Sequence, residues 1–198
     1  MDKYSIPTEV NVNGKIFKIR NKGDYRVMLD CFAVLDDPEL DKQEKLLGCL
    51  IIFYENIASL NDVEQLTREE LESAVSEMYT FFNCGNNESS GPKHNYKLID
   101  WDKDSQLICS AVNKVANTEI RAVPYLHWWT FMGYYSSVGE SVLSTVIGIR
   151  DKIVSNKKLE KWENKFRNEN PQYFTWNMRT AEQIADDEYV KSLWNSGK

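Results

Sequence analysis

The hydrophobic pattern of this chain of 198 residues changes its period once, near Lys22 to Asp24. Before that point, the segment EVNVNGKIFKIR alternates apolar and polar residues on both sides of Asn13-Gly14. Asn-Gly is favoured in the tight turn of a β-hairpin, because both central residues of that turn need positive φ angles. After that point, apolar residues recur about every 3.6 positions, as in helices with one buried face. The sequence therefore predicts a mainly α fold with a small N-terminal β-hairpin over Val10 to Arg20.

Capping residues and prolines predict where several helices begin. Asp24 is suited to cap the first helix, and the second is expected from Asp41 to Ala58. Thr67 stands three residues before a glutamate, which is the spacing of a capping box at the start of a third helix. Pro124 is expected to open a helix rich in aromatic residues, since proline is favoured at a first helical position. Further helical spacing around Leu159 and a second capping-box pattern after Thr180 predict two amphipathic helices near the C-terminus.

The stretch CGNNESSGPKHNYK, residues 84–97, divides these helices into two groups. It consists of turn-forming and polar residues and offers almost nothing to bury, so we expect a mobile loop. The length of the chain suits one domain, 1–198. The loop would divide that domain into two lobes, residues 1–83 with the hairpin and residues 98–198, which are helical.

Composition and charge disfavour several classes of partner and cofactor. The formal net charge is −6, and proteins that bind nucleic acid or acidic lipid usually carry a basic patch. No apolar run approaches the roughly 18–20 residues of a spanning helix, and the N-terminus has no signal-peptide core. The four cysteines lack the spacing of a zinc site and the nine glycines are scattered, so we expect no metal and no cofactor.

Three aspartates, Asp100, Asp102 and Asp104, alternate as they do at the start of a calcium loop. Such a loop needs glycine at its sixth position and glutamate at its twelfth, where this chain has Ser105 and Ala111. We therefore interpret these aspartates as caps and first-turn acids of a helix.

The segment YLHWWTFMGYY, Tyr125 to Tyr135, allows four interpretations. His127 as a general base lacks an evident nucleophile or orienting carboxylate nearby. A base-stacking platform or a membrane-surface helix would need flanking Lys or Arg, and the segment has none. A core helix that also meets a partner is left, because aromatic residues serve both roles.

The order of the segments DWDKDSQLI, a spacer helix, LHWWTF, a polar break, IGIRDKI and KKLEKW resembles one known family. These are tail assembly chaperones encoded by long-tailed phages and prophages of Gram-positive bacteria. The resemblance runs from the hairpin to Arg150, and Leu126 to Trp129 is its most specific element. It does not extend beyond Pro171.

The resemblance implies a chaperone without enzymatic activity that binds and solubilises the tape measure protein in the cytoplasm of the host cell. Such chaperones are released as tail tube subunits polymerise and are absent from the mature virion. The tail tube protein and further copies of the chain are additional expected partners. Two alternatives stay open: a structural subunit of the tail or head–tail joint, and a small hydrolase that uses His127 with a cysteine.

A chaperone of this kind must expose apolar surface of its own. The aromatic segment and the C-terminal amphipathic helices are the two candidates, and we favour the C-terminal helices because the aromatic segment suits a buried scaffold. The predicted partner-binding residues are therefore Trp162, Phe166, Tyr189 and Trp194.

Overall fold

The computed structural model describes residues 4–86 and 97–176, and it is mainly α with one β-hairpin, as predicted. The described residues form two strands and eight α-helices: β1 (Glu9–Val12), β2 (Lys15–Lys18), α1 (Tyr25–Asp36), α2 (Lys42–Phe53), α3 (Leu60–Glu64), α4 (Arg68–Phe82), α5 (Ser105–Ala116), α6 (Trp128–Ser136), α7 (Val142–Val154) and α8 (Lys161–Glu169). Short 3-10 turns occupy Arg20–Gly23 and Pro171–Phe174. Among these helices, none is both long and apolar enough to cross a membrane.

The described residues group into two compact units. The first contains residues 4–86 and 125–132, and the second contains residues 97–124 and 133–176. Residues 125–132, called the tryptophan segment below, thus belong with the N-terminal hairpin and helices, although the 28 described residues 97–124 of the second unit precede them in the chain. The predicted loop over 84–97 falls largely outside the described residues, as do the predicted helix after Thr180 and the residues Tyr189 and Trp194.

The hairpin forms where the Asn13-Gly14 pair predicts it. Both residues have positive φ, 47° and 87°, and Val10 pairs with Phe17 across the two antiparallel strands. Val10, Val12 and Phe17 are buried, whereas Ile16 on the opposite face is exposed. The alternation of the sequence therefore separates a buried face of the hairpin from an exposed one.

Helix α2 is shorter than predicted, because tertiary contacts end it. It stops at Phe53 instead of Ala58, and Tyr54 is extended and forms a β-bridge with Ile19. The guanidinium of Arg20 donates hydrogen bonds to the carbonyls of Ile51, Ile52 and Tyr54, each at 2.8 Å. These are carbonyls at the C-terminal end of a helix, which have no partner within the helix itself.

Helix α6 also begins later than predicted, at Trp128 and not at Pro124. The backbone before it is used in another way: Leu126 donates to the carboxylate of Asp24, and its carbonyl accepts from the backbone N–H of Tyr25. Asp24 caps α1 as predicted, through the backbone N–H of Arg26. One aspartate thus fixes both the start of α1 and the path of the chain into α6.

Candidate partner-binding surface

The two adjacent tryptophans of the aromatic segment cap the end of α4. The indole Nε1 of Trp128 donates to the carbonyl of Phe82 at 3.0 Å, and that of Trp129 donates to Phe81 at 2.9 Å. Phe82 is the last residue of α4, so the indoles reach carbonyls at the end where intrahelical partners run out. Neighbouring side chains on a helix point about 100° apart, which lets consecutive tryptophans reach consecutive carbonyls. The pair is therefore built into the fold of the first unit.

Trp128 is also the centre of an aromatic cluster. It is only 1% exposed, it stacks on Phe131 with ring centroids 5.5 Å apart, and it meets Phe32 edge-on at 5.6 Å. Phe131 in turn stacks on Tyr25 of α1 at 4.8 Å. Edge-on and stacked pairs add stability beyond the area they bury. At Trp128, this cluster agrees with the expectation that the aromatic segment forms a buried scaffold.

His127 is held at both ring nitrogens. Nε2 donates to the carbonyl of Pro7 at 3.0 Å, and Nδ1 accepts from the backbone N–H of Trp129 at 3.1 Å. These bonds fit the neutral ring with its proton on Nε2. Burial lowers the pKa of His127 below its ordinary value, against the opposing effects of the Pro7 carbonyl and the Asp24 carboxylate. The geometry is that of a hydrogen-bonded packing residue, with both nitrogens occupied.

Helix α8 presents a different aromatic surface in the second unit. Trp162 is 57% exposed, while Phe166, one turn later, is half-buried with its ring 6.3 Å from that of Phe174. Residues four apart on a helix are neighbours, so Trp162 and Phe166 share one face of α8. The structure thus brings together two of the four predicted partner-binding residues; Tyr189 and Trp194 lie outside the described part of the chain.

An ion pair with a buried carboxylate fixes the orientation of α8. Glu163 is 4% exposed, and its carboxylate accepts from Nζ of Lys152 on α7 at 2.6 Å and from the backbone N–H of Glu160 at 2.7 Å. The hydrogen bond from Lys152 is the main reason that the pKa of Glu163 lies below its usual range. With Glu163 turned inward, the adjacent side chain of Trp162 points toward solvent.

A second buried charge pair, which the sequence did not suggest, organises the second unit. Arg150 and Asp104 are 1% and 2% exposed, and the guanidinium binds both carboxylate oxygens of Asp104. Its other N–H groups donate to the carbonyls of Leu98, at 2.8 Å, and Tyr173, so that all five N–H groups have acceptors. The ring of Trp176 covers the guanidinium at 4.7 Å. The only signal available in the sequence was an arginine within the apolar pattern of α7.

The interpretation of Asp104 as a helix cap was wrong. Asp104 occupies the N-cap position of α5, but its carboxylate makes no capping bond to that helix. It instead binds Arg150 and accepts from the backbone N–H of Asp100 at 2.9 Å. Within residues 4–86 and 97–176, no group of three or more His, Cys, Asp or Glu is arranged to hold a metal ion.

Comparison with known proteins gives one match. The sequence pattern of the family described as Bacteriophage Gp15 protein matches residues 3–173. The match includes the hairpin, the tryptophan segment, the Arg150–Asp104 pair and all of α8. No curated protein and no solved structure matches the chain.

Proposed function

Because this chain belongs to the family described as Bacteriophage Gp15 protein, we propose that it acts as a chaperone of phage tail assembly. In this role it binds the tape measure protein, keeps it soluble in the host cytoplasm and is released as tail tube subunits polymerise around it. Contact with the tail tube protein and self-association belong to the same proposal. No enzymatic step is part of it.

The observation that carries the proposal is the contrast between Trp128 and Trp162. Trp128 is buried in the core of its unit, whereas Trp162 has more than half of its side chain exposed on a short, highly charged helix. Tryptophan is enriched among residues that dominate binding energy at protein interfaces. An exposed tryptophan beside a half-buried phenylalanine therefore suits a surface that covers apolar side chains of a partner.

The physical task fits such a surface. A long helical protein that is not yet enclosed exposes an extended apolar stripe, and contiguous apolar surface of that kind promotes aggregation. Many copies of a small chaperone, each gripping through a few side chains, can cover the stripe by laying it against helical faces. Chaperone copies that are each bound weakly can be displaced one by one as tube subunits assemble.

Trp162→Ala and Trp128→Ala are expected to fail in different assays. Trp162→Ala should weaken binding of a fragment of the tape measure protein from the same phage by about 2 kcal/mol or more, roughly thirtyfold in Kd, with the melting temperature nearly unchanged. Trp128→Ala should instead lower the free energy of unfolding by about 3–5 kcal/mol. Pull-down and isothermal titration measure binding, and thermal melting measures stability.

Leu60→Ala is the matched control, since Leu60 is 53% exposed but lies on α3 of the other unit. It should change neither binding nor melting. If Trp162→Ala lowers the melting temperature and still binds the fragment, Trp162 stabilises the fold, and the aromatic segment becomes the candidate binding surface.

Mass spectrometry of purified virions separates the chaperone from a structural subunit of the tail or head–tail joint. A chaperone should be present in lysates of infected cells and absent from the particle. Recovery of this chain from purified virions at a copy number comparable to a tail component would refute the proposal.

A further inference from the structure

Charge is unevenly distributed between the two units. The described residues of the first unit contain 8 Lys and Arg against 15 Asp and Glu, a net charge of −7. Those of the second contain 11 Lys and Arg against 9 Asp and Glu, a net charge of +2. The acidic character of the whole chain therefore does not apply to the unit that carries Trp162.

Among the described residues of the second unit, exposed positive charge and exposed aromatic surface coincide on helix α8. Its charged residues are Lys161, Glu163, Lys165, Arg167 and Glu169. Glu163 is buried and bound to Lys152, so the exposed charges are three cations and one carboxylate.

These cations are weakly engaged by the protein itself. Among the described residues, Lys161 and Arg167 form no salt bridge, and Lys165 reaches only Glu169, at 3.8 Å with both side chains largely exposed. Exposed pairs of this kind contribute little and are readily exchanged for a better partner. The cations of α8 are thus available to carboxylates from outside.

The position of Lys165 relates this charge to Trp162. The two residues are three positions apart and are neighbours on the helix surface, about 60° apart around the axis. Lys161 lies one turn before Lys165 on the same row, whereas Arg167 is about 140° from Trp162. One border of the Trp162 face is therefore a row that begins with these two lysines and ends at Glu169, the exposed partner of Lys165.

We infer that this α8 face recognises an amphipathic helix whose apolar stripe is bordered by Asp or Glu. The inference rests on the proposed function in taking α8 as the docking surface, and it specifies the chemistry of the segment that docks there. Trp162 and Phe166 contact the apolar stripe, while Lys161 and Lys165 face the acidic border. Charge complementarity of this kind sets the orientation and the choice of partner more than the total affinity.

A nucleic acid or an acidic membrane fits this surface less well. Glu160 and Glu169 interrupt the run of cations, and the described residues of the second unit carry a net charge of only +2, which is small for a binder of phosphates. A helix whose apolar stripe is bordered by acidic residues can place its carboxylates beside Lys161 and Lys165 and end before Glu169.

Two synthetic helical peptides test the inference without the tape measure protein. Each has about 18 residues, long enough for five turns, and both have the same leucine stripe. One stripe is bordered by glutamate and the other by lysine. Fluorescence anisotropy with the full-length chain should show that the glutamate-bordered peptide binds about tenfold more tightly at low salt, and that this preference shrinks as salt is raised.

Variants of one charge on the same helix give the matched comparison. Lys165→Glu should remove or invert the preference for the glutamate-bordered peptide. Arg167→Glu makes the same change of charge, but away from Trp162, and should leave most of that preference intact. Trp162→Ala should lower the affinity for both peptides equally. Melting curves establish that each variant is folded as the wild type is.

Several outcomes would overturn the inference. These are equal binding of the two peptides, binding of neither, an equal loss in Lys165→Glu and Arg167→Glu, or displacement of the peptide by an RNA oligonucleotide or by a second copy of the chain. A chain that binds the glutamate-bordered peptide but no tape measure fragment would refute the proposed function and leave the inference standing. A chain that binds the tape measure fragment but shows no preference between the peptides would support the proposed function and refute the inference.

Discussion

The Arg150–Asp104 pair allows a stability prediction that can be worked out from its contacts. Asp104→Ala removes both acceptors of a bidentate ion pair and leaves a guanidinium that is 1% exposed with only the carbonyls of Leu98 and Tyr173. Removing one partner of a buried ion pair typically costs about 3–5 kcal/mol, because the remaining charge is left without compensation. For a chain of this length, each kcal/mol lowers Tm by about 2–4 °C, so the expected loss is roughly 6–20 °C.

A double-mutant cycle separates the pair from the volume of its side chains. Asp104→Leu and Arg150→Leu should each be strongly destabilising, while the double variant should be much less destabilised than the sum, since it leaves no buried charge. Arg150→Lys should rescue little, because an ammonium cannot present the planar fork that binds one carboxylate and two carbonyls. Urea unfolding followed by circular dichroism measures each free energy.

The exposed pair Arg121–Glu119 is the control for this cycle. Its side chains are 48% and 42% exposed and the nitrogen-to-oxygen distance is 2.8 Å, close to those of the buried pair. Arg121→Ala should cost less than about 1 kcal/mol. The reasoning is wrong if Asp104→Leu costs no more than Arg121→Ala, or if the two leucine variants are simply additive.

Two further predictions concern the first unit. Burial lowers the pKa of His127 in the folded protein, so the unfolded chain takes up the proton first as the pH falls. The free energy of unfolding should therefore decrease as the pH drops from about 6.5 toward the lowered pKa of the folded state. His127→Gln should remove this pH dependence, which a series of urea titrations at different pH values measures. A slope unchanged in His127→Gln would assign it to other groups. Gly23→Ala should destabilise by about 2–3 kcal/mol, because Gly23 has φ +79° and an added Cβ would lie 2.6 Å from Cζ of Phe81. At Gly14, φ is +87° but an added Cβ would have nothing within 4 Å, so Gly14→Ala should cost only about 1 kcal/mol. Thermal melting of both glycine variants measures the difference, and equal losses of stability would exclude crowding at Phe81 as the cause.

Local signals in the sequence were sufficient for the fold class and for several element boundaries. Asn13-Gly14 specifies its turn by backbone sterics alone, and Asp24 and Thr67 cap helices within a few residues of themselves. The boundaries that were predicted wrongly depend on distant residues. Arg20 ends α2 from more than 30 positions away, and Asp24 delays α6 from 102 positions away.

The same distinction applies to the candidate surface. Helical spacing placed Trp162 and Phe166 on one face, but their exposure depends on Glu163, which turns inward to meet Lys152 on the preceding helix. The Arg150–Asp104 pair was missed because its two residues are 46 positions apart and each has a plausible local role. A buried charge is visible in a sequence only as an interruption of an apolar pattern, and its partner is not visible at all.

The discontinuity of the first unit has a consequence for synthesis on the ribosome. Trp128 donates to the carbonyl of Phe82 and fills the aromatic cluster, but it is translated 46 residues later. At about 5–20 residues per second, the delay between the two residues is roughly 2–9 s. During that interval the nascent N-terminal helices lack a central side chain of their own core. A chain that stops at Pro124 would be left permanently in this state, exposed to proteases and to aggregation. The core of the first unit therefore cannot be complete before residues 125–132 have been translated.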